Sequence, residues 1–262
     1  MATFIIYSHT DSKDIWSLLS EKIKLIDDVH EKIIAINDDS ADYFIDGFNR
    51  VVKYNDSFKY SDKLLQVFEK IETIYIVLIH DNDVIIKFNN KLFESLLQSC
   101  TYNNIDLCMF HVGAVDSNEK IKVLGEDIIG CVNDKKSPHV FLPYNVGPTI
   151  WKMESYKKAL LAAPSTGYRE IETSSVRDYC KDKLRAFAFL ANPAKKSMYV
   201  IGRPFYYDFQ FLHMFCGRKM MKSHLYMDQE DNFVQIVEKY PAIKLRGILT
   251  GQDHININFK TM

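Results

Sequence analysis

The chain has 262 residues with 33 Lys and Arg against 34 Asp and Glu, and its net charge of −1 gives no support to a general polyanion binder, so without a local basic patch no nucleic-acid partner is expected. That length is near the size at which single cores stop growing, so one principal domain is expected. No apolar run approaches a membrane span, the amino terminus lacks a signal-peptide pattern, and five cysteines without a C-x-x-C pair read as reduced thiols, which together point to a soluble, cytoplasmic protein.

Thr3-Phe-Ile-Ile-Tyr7 predicts a first strand, followed by a polar loop from Ser8 to Ser12. Ile15, Leu18, Leu19 and Ile23 then recur at helical spacing, completing half of a βαβ unit. Residues 32–36 predict a second strand that ends in Asn37-Asp38-Asp39-Ser40, and residues 51–54 a third. Leu64, Leu65, Phe68 and Ile71 share one face of a helix over residues 61–71, with Ser61 or Asp62 at its start.

That helix feeds Thr73-Ile-Tyr-Ile-Val-Leu-Ile-His80-Asp81-Asn82-Asp83, a continuous apolar run ending in two carboxylates one residue apart. Seven uncharged residues rich in β-branched side chains suit a central parallel strand covered on both faces. Asp81 and Asp83 then lie at its carboxyl end, where open α/β sheets bind ligands. A divalent ion bridging phosphates wants one or two hard oxygen ligands from the protein, and this pair fits that need. Asp-Asn-Asp is equally an ordinary turn sequence after a strand.

Beyond Asp83, Leu92, Phe93, Leu96 and Leu97 mark a helix and residues 105–110 another strand, so the alternation predicts a mainly parallel sheet flanked by helices. Residues 113–136 read as loops or a hairpin. A helix is expected from Trp151 to Ala163, then a break at Pro164-Ser-Thr-Gly167. The last hundred residues are less regular and more aromatic. Phosphate-loop, dinucleotide, nucleophile-elbow and zinc-protease motifs are all absent.

Taken together, four segments resemble nucleotide-sugar-dependent glycosyltransferases of the GT-A fold, particularly small family-2-like members found in large DNA viruses. They are Phe4-Ile-Ile-Tyr-Ser-His-Thr-Asp11, Tyr60-Ser-Asp-Lys-Leu-Leu65 leading into Tyr75 to Asp83, Asn145-Val-Gly-Pro-Thr-Ile-Trp-Lys152, and Tyr168-Arg-Glu-Ile-Glu172. The resemblance implies a single GT-A-like domain over residues 1–262, with a nucleotide-binding half at 1–112 and an acceptor-side half at 113–262. It implies a nucleoside-diphosphate sugar donor, with UDP preferred, and a glycan or glycoprotein acceptor. Tyr7, Ser8, His9 and Asp11 would contact the nucleoside, Lys63 the base or a phosphate, and Asp81 with Asp83 would hold Mn²⁺ or Mg²⁺. His80 departs from the aliphatic or acidic residue expected there. Glu172 is favoured as general base with Glu170 in reserve, and Trp151 either stacks on a sugar or packs its helix.

Arg203, Arg218, Lys219 and Lys222 surround an aromatic stretch; the basic loop from Cys216 to Lys222 could close over a diphosphate, although a solvated loop explains it more simply, and His254 could complete a metal shell. His213, His224 and His254 are too scattered to define a zinc site. Two other classes stay open. The opening strand and helix also resemble a TIR signalling or NAD-cleaving domain, and a metal-dependent nucleotidyltransferase would likewise pair carboxylates around phosphates.

Overall fold

The computed structural model describes residues 1–113, 119–126, 128–132, 146–168, 170–173, 175–190, 198–200, 203–216, 219–221, 230–246 and 248–249. Four parallel strands form its first part: β1 (Thr3–Tyr7), β2 (Glu31–Asn37), β3 (Arg50–Tyr54) and β4 (Tyr75–His80), in the spatial order β3-β2-β1-β4. α1 (Trp16–Ile23) connects β1 to β2, and α2 (Tyr60–Phe68) connects β3 to β4. The strand order therefore reverses direction between β1 and β4.

Alternation along each strand sends its side chains to two different cores. Phe4 and Ile6 of β1, with Val77 and Ile79 of β4, pack against Leu18, Leu19 and Ile23 of α1. Ile5, Ile76 and Leu78 point the other way, against Leu64, Val67 and Phe68 of α2. All six residues of β4 are buried, as the uninterrupted apolar run requires.

The chain leaves β4 through a two-residue turn and enters β5 (Asp83–Phe88), then α3 (Asn90–Tyr102) and β6 (Leu107–Gly113). A hairpin follows, β7 (Glu119–Lys122) with β8 (Ile129–Val132), where loops or a hairpin were expected. Next come β9 (Thr149–Lys152), α4 (Met153–Leu161), α5 (Ser175–Lys183) and β10 (Ala186–Leu190). The sheet continues past β4 as β9-β6-β10-β8-β7, with β9 antiparallel to both neighbours and β10 parallel to β6. β11 (Met198–Val200) pairs with β12 (Arg203–Phe205), and β13 (Phe209–His213) pairs antiparallel with β5. A three-stranded sheet of β14 (Phe215–Cys216), β15 (Lys219–Met221) and β16 (Ile248–Leu249) flanks α6 (Glu230–Lys239) in sequence.

Three expectations change. Trp151 sits in a strand and not at a helix start, because Thr149 to Lys152 fills the gap between β4 and β6, with Trp151 opposite Ile76 and Leu107. The segment after Asp83 is a strand before it is a helix. Ser61 and Asp62 do not cap α2, whose N-cap is Lys59. Their side chains instead accept hydrogen bonds from the amides of Thr166 (2.9 Å) and Ser165 (3.1 Å), tying the turn after α4 to the start of α2.

Candidate functional site

The loops after β1 and β4 are joined by backbone hydrogen bonds that prolong the ladder, Ser8 N to Ala35 O at 2.8 Å and Asp81 N to Tyr7 O at 3.0 Å. They open on a cleft of about 550 Å³ at the carboxyl ends of the strands, at the point where strand order reverses. That is the place at which open α/β sheets leave a crevice, since the connections on either side diverge to opposite faces.

One wall is aromatic. Tyr7 and Tyr54 stack with centroids 5.0 Å apart and planes 9° from parallel, and the Tyr54 hydroxyl donates to Ser8 O at 2.7 Å. Tyr60 meets Tyr7 edge-on at 5.4 Å. Beside them, the Lys63 ammonium donates to Asp56 at 2.5 Å and lies 5.3 Å from the Tyr54 ring. This contact holds the Asp56 carboxyl below its usual range, despite partial burial. His9 caps the turn Thr10–Ile15: its Nδ1 accepts from Asp11 N at 3.1 Å, which leaves Nε2 to donate to Asp56 at 3.2 Å.

His80 forms part of the floor. Burial pushes its imidazole down to about 4, so the ring is neutral, against the opposing pull of Asp83, and its buried Nδ1 has no hydrogen-bond partner among the described residues. Its Nε2 is 2.7 Å from the Tyr60 hydroxyl, and the Tyr168 ring meets it edge-on at 5.1 Å. Tyr168 reaches this position because the turn before it is tied to α2 through Ser61 and Asp62.

The two carboxylates have different surroundings. Asp81 is half-buried and faces the cleft, where Ser8 Oγ donates to it at 2.8 Å. Burial raises its pKa, while hydrogen bonds from Ser8 and Ser12 and the charge of Arg246 oppose that rise. Asp83 is buried and accepts from Nδ1 of His213, its cross-strand partner on β13, at 2.9 Å. Burial works against a charged His213, yet Asp83 outweighs it and lifts that imidazole above its ordinary range. Between them, Asn82 Oδ1 is a buried acceptor with no hydrogen-bond partner among the described residues. Asp81 and Asn82 thus offer hard oxygen atoms to the cleft, one already orphaned, which fits an oxygen-seeking divalent cation, whereas Asp83 is not among the lining residues. Among the described residues no three His, Cys, Asp or Glu side chains converge, so such an ion would draw further ligands from a bound phosphate.

Of the residues singled out from sequence, Tyr7, Ser8, His9, Lys63 and Asp81 line the cleft. Asp11 is exposed beside His9 and is not among the lining residues. Trp151 is corrected: it is 1% exposed and stacks on Tyr156 at 4.1 Å, so it packs the core and cannot stack on a ligand. Neither glutamate is among the lining residues. Glu170 is exposed and accepts from Gly167 N at 3.0 Å, whereas half-buried Glu172 accepts from Val146 N at 2.8 Å. Lys219 is exposed; the side chain of Arg203, and Arg218, Lys222, His224 and His254, lie outside the described residues.

Sequence reasoning missed Ser12, Tyr54, Asp56 and Arg246. Tyr54 ends a predicted strand and Asp56 follows it, and their place at a carboxyl edge was a usable signal. Arg246 offered none, since only the folded chain carries it to β1.

No family model matches the sequence, and no curated protein does. Solved structures do resemble the fold. Staphylococcus aureus TarS 1–349 superposes with a TM-score of 0.50 at 11% identity, over 73% of this chain and 59% of that one. The chain therefore spans well under two thirds of that neighbour. The same TarS fragment in complex with UDP-GlcNAc gives 0.48 at 11% identity, over 94% of this chain and 67% of that one. A UDP-glucose pyrophosphorylase complexed with UDP-glucose gives 0.44 at 12% identity, over 73% and 91%. The architecture is thus a GT-A-like, Rossmann-like α/β fold with a mainly parallel sheet flanked by helices. Among the described residues no helix is long and apolar enough to cross a membrane.

Proposed function

We propose that this chain is a glycosyltransferase that moves a sugar from a nucleoside diphosphate, UDP by preference, to a hydroxyl of a glycan or glycoprotein. The observation that carries this reading is half-buried Asp81 facing a cleft at the strand-order reversal that the Tyr7–Tyr54 stack also lines. The fold supports it, because TarS, which this chain resembles, is a protein captured with UDP and with UDP-GlcNAc.

In this reading the Tyr7–Tyr54 wall takes the nucleoside, and Lys63, Asp56 and His9 present polar groups at the same end. Asp81, Asp83 and the orphaned Asn82 oxygen would hold Mn²⁺ or Mg²⁺. Such an ion, when bound, supplies positive charge to the leaving diphosphate. Glu172 is the proposed base for the acceptor hydroxyl; it is close enough to raise the pKa of Tyr168 at the cleft wall.

The test is a thermal-shift screen of nucleoside diphosphates and their sugars with and without Mn²⁺, followed by assay of UDP release. A ligand bound only by the native state raises the midpoint by mass action. UDP-specific stabilisation and release of UDP on adding acceptor support the proposal. Pyrophosphate release from a nucleoside triphosphate and a sugar phosphate would assign nucleotidyl transfer instead.

A further inference from the structure

We infer that Arg246 binds the diphosphate of the ligand and that Asp14 orients it for this task. The inference rests on the nucleotide reading above and assigns a residue which that reading does not use. Arg246 ends the 3-10 helix Pro241–Arg246, far along the chain from the parallel strands, yet it lines the same cleft as Asp81. Its side chain is only 9% exposed.

The guanidinium is held on two sides. Asp14, on the turn that follows β1, accepts from Nε and from Nη2 at 2.5 Å each. Phe215, which also lines the cleft, lies against it with the ring centroid 4.8 Å from Cζ. A carboxylate bound along the Nε–Nη2 edge leaves the geometry of the Nη1–Nη2 edge suited to a second forked partner, and phosphate oxygens match that fork.

Among the described residues the cleft is lined by three basic side chains other than histidine, Lys59, Lys63 and Arg246. Lys63 is committed to Asp56 at the aromatic wall, and Lys59 stands at the start of α2 on that side. Arg246 lines the cleft together with Ser8, Ser12 and Asp81 of the loops after β1 and β4, so it meets the phosphates if Asp81 serves them. In the transfer step, the bond from the sugar's anomeric carbon to the terminal phosphate oxygen breaks and its electron pair stays on that oxygen. The acceptor oxygen bonds to the same carbon and its proton passes to the base. Arg246 donates N–H to the phosphate that gains charge.

The experiment compares binding of uridine, UMP and UDP to the full chain and to Arg246→Gln, Arg246→Lys and Asp14→Asn, with Mn²⁺ present and folding checked by circular dichroism. Losing a forked, charge-assisted contact should weaken UDP about 10- to 100-fold in Arg246→Gln while uridine binding stays within about twofold. Arg246→Lys keeps the charge without the fork, so about a 5- to 10-fold loss for UDP is expected, and it decides the matter if the Gln variant does not fold. Asp14→Asn should weaken UDP severalfold; tighter UDP binding there would overturn the orienting role. If UDP and uridine weaken equally in the Arg246 variants, or not at all, Arg246 does not bind the diphosphate, although the nucleotide reading stands. Failure of the unaltered chain to bind any of the three removes the nucleotide reading and this inference with it.

Discussion

Two cavities open at opposite ends of the same parallel strands, one of about 550 Å³ at their carboxyl ends and one of about 630 Å³ at their amino ends. The amino-end cavity is lined by charged groups, and two of them, Arg50 and Glu31, are bound to each other. Arg50 donates to Glu31 and to Lys70 O at 2.7 Å each, and Thr3 donates to Glu31 at 2.8 Å. At the carboxyl end stand stacked rings, a carboxylate whose pKa is raised by burial, and an orphaned amide oxygen. Volume therefore does not distinguish the two ends. What distinguishes them is the kind of group each presents: the carboxyl end joins an aromatic wall to a carboxylate and an orphaned amide oxygen, whereas the amino end holds a guanidinium–carboxylate pair and a His30 ring whose charged form burial disfavours.

The largest break in this comparison should come from Asp81. Asp81→Ala should lower turnover by at least about 100-fold, because charge stabilisation at a leaving phosphate is worth several kcal/mol. Its thermal midpoint should hold, since a carboxylate that burial disfavours is being removed. Asp83→Ala should also lower turnover, but it strips His213 of its buried partner and should cost about 1–3 kcal/mol of stability in urea titrations. Equal stability losses in the two variants would show that the pair is a structural turn.

A smaller effect concerns the cleft floor. His80 titrates near 4 in the folded chain against about 6.5 when unfolded, so between those values the unfolded state binds the extra proton. Stability from this group is therefore full above about pH 6.5 and lost as pH falls towards 4. Between pH 7 and pH 5 the loss should be about 2 kcal/mol, measured as urea midpoints. His80→Gln should flatten that slope; an unchanged slope would place the acid sensitivity elsewhere.

Glu172→Gln separates the proposed base from a structural tie, because it should abolish transfer while UDP still binds. Glu170→Gln, at an exposed turn, should change transfer and stability little, within about 0.5 kcal/mol. Inactivity of the Glu170 variant alone would reverse the assignment. Last and smallest, Arg50→Ala at the amino end should cost about 1 kcal/mol or less and leave nucleotide affinity unchanged. Loss of nucleotide binding there would break the comparison outright.

Much of the sheet was legible because its cause is local. The apolar run before His80 predicts a strand buried on both faces, and the spacing of Leu64, Leu65 and Phe68 predicts the helix that precedes it. β5 and β9 were not legible for the opposite reason. Val84 and Ile85 become strand by pairing with Leu212 and Phe211, and Trp151 by filling the gap between two distant strands. Strand formation of this kind depends on partners more than on intrinsic preference.

The sequence by itself determined the alternating α/β order, the placement of Asp81 at a strand's carboxyl tip, and Tyr7, Ser8 and His9 as the neighbouring loop. These follow from periodicity and turn chemistry within a few residues. Tertiary structure alone decided that Asp83 turns to His213, that Trp151 is sealed in the core, and that Arg246 returns to Asp14 beside the cleft. Each depends on contacts between segments far apart in the chain, and no local pattern encodes which segments will meet.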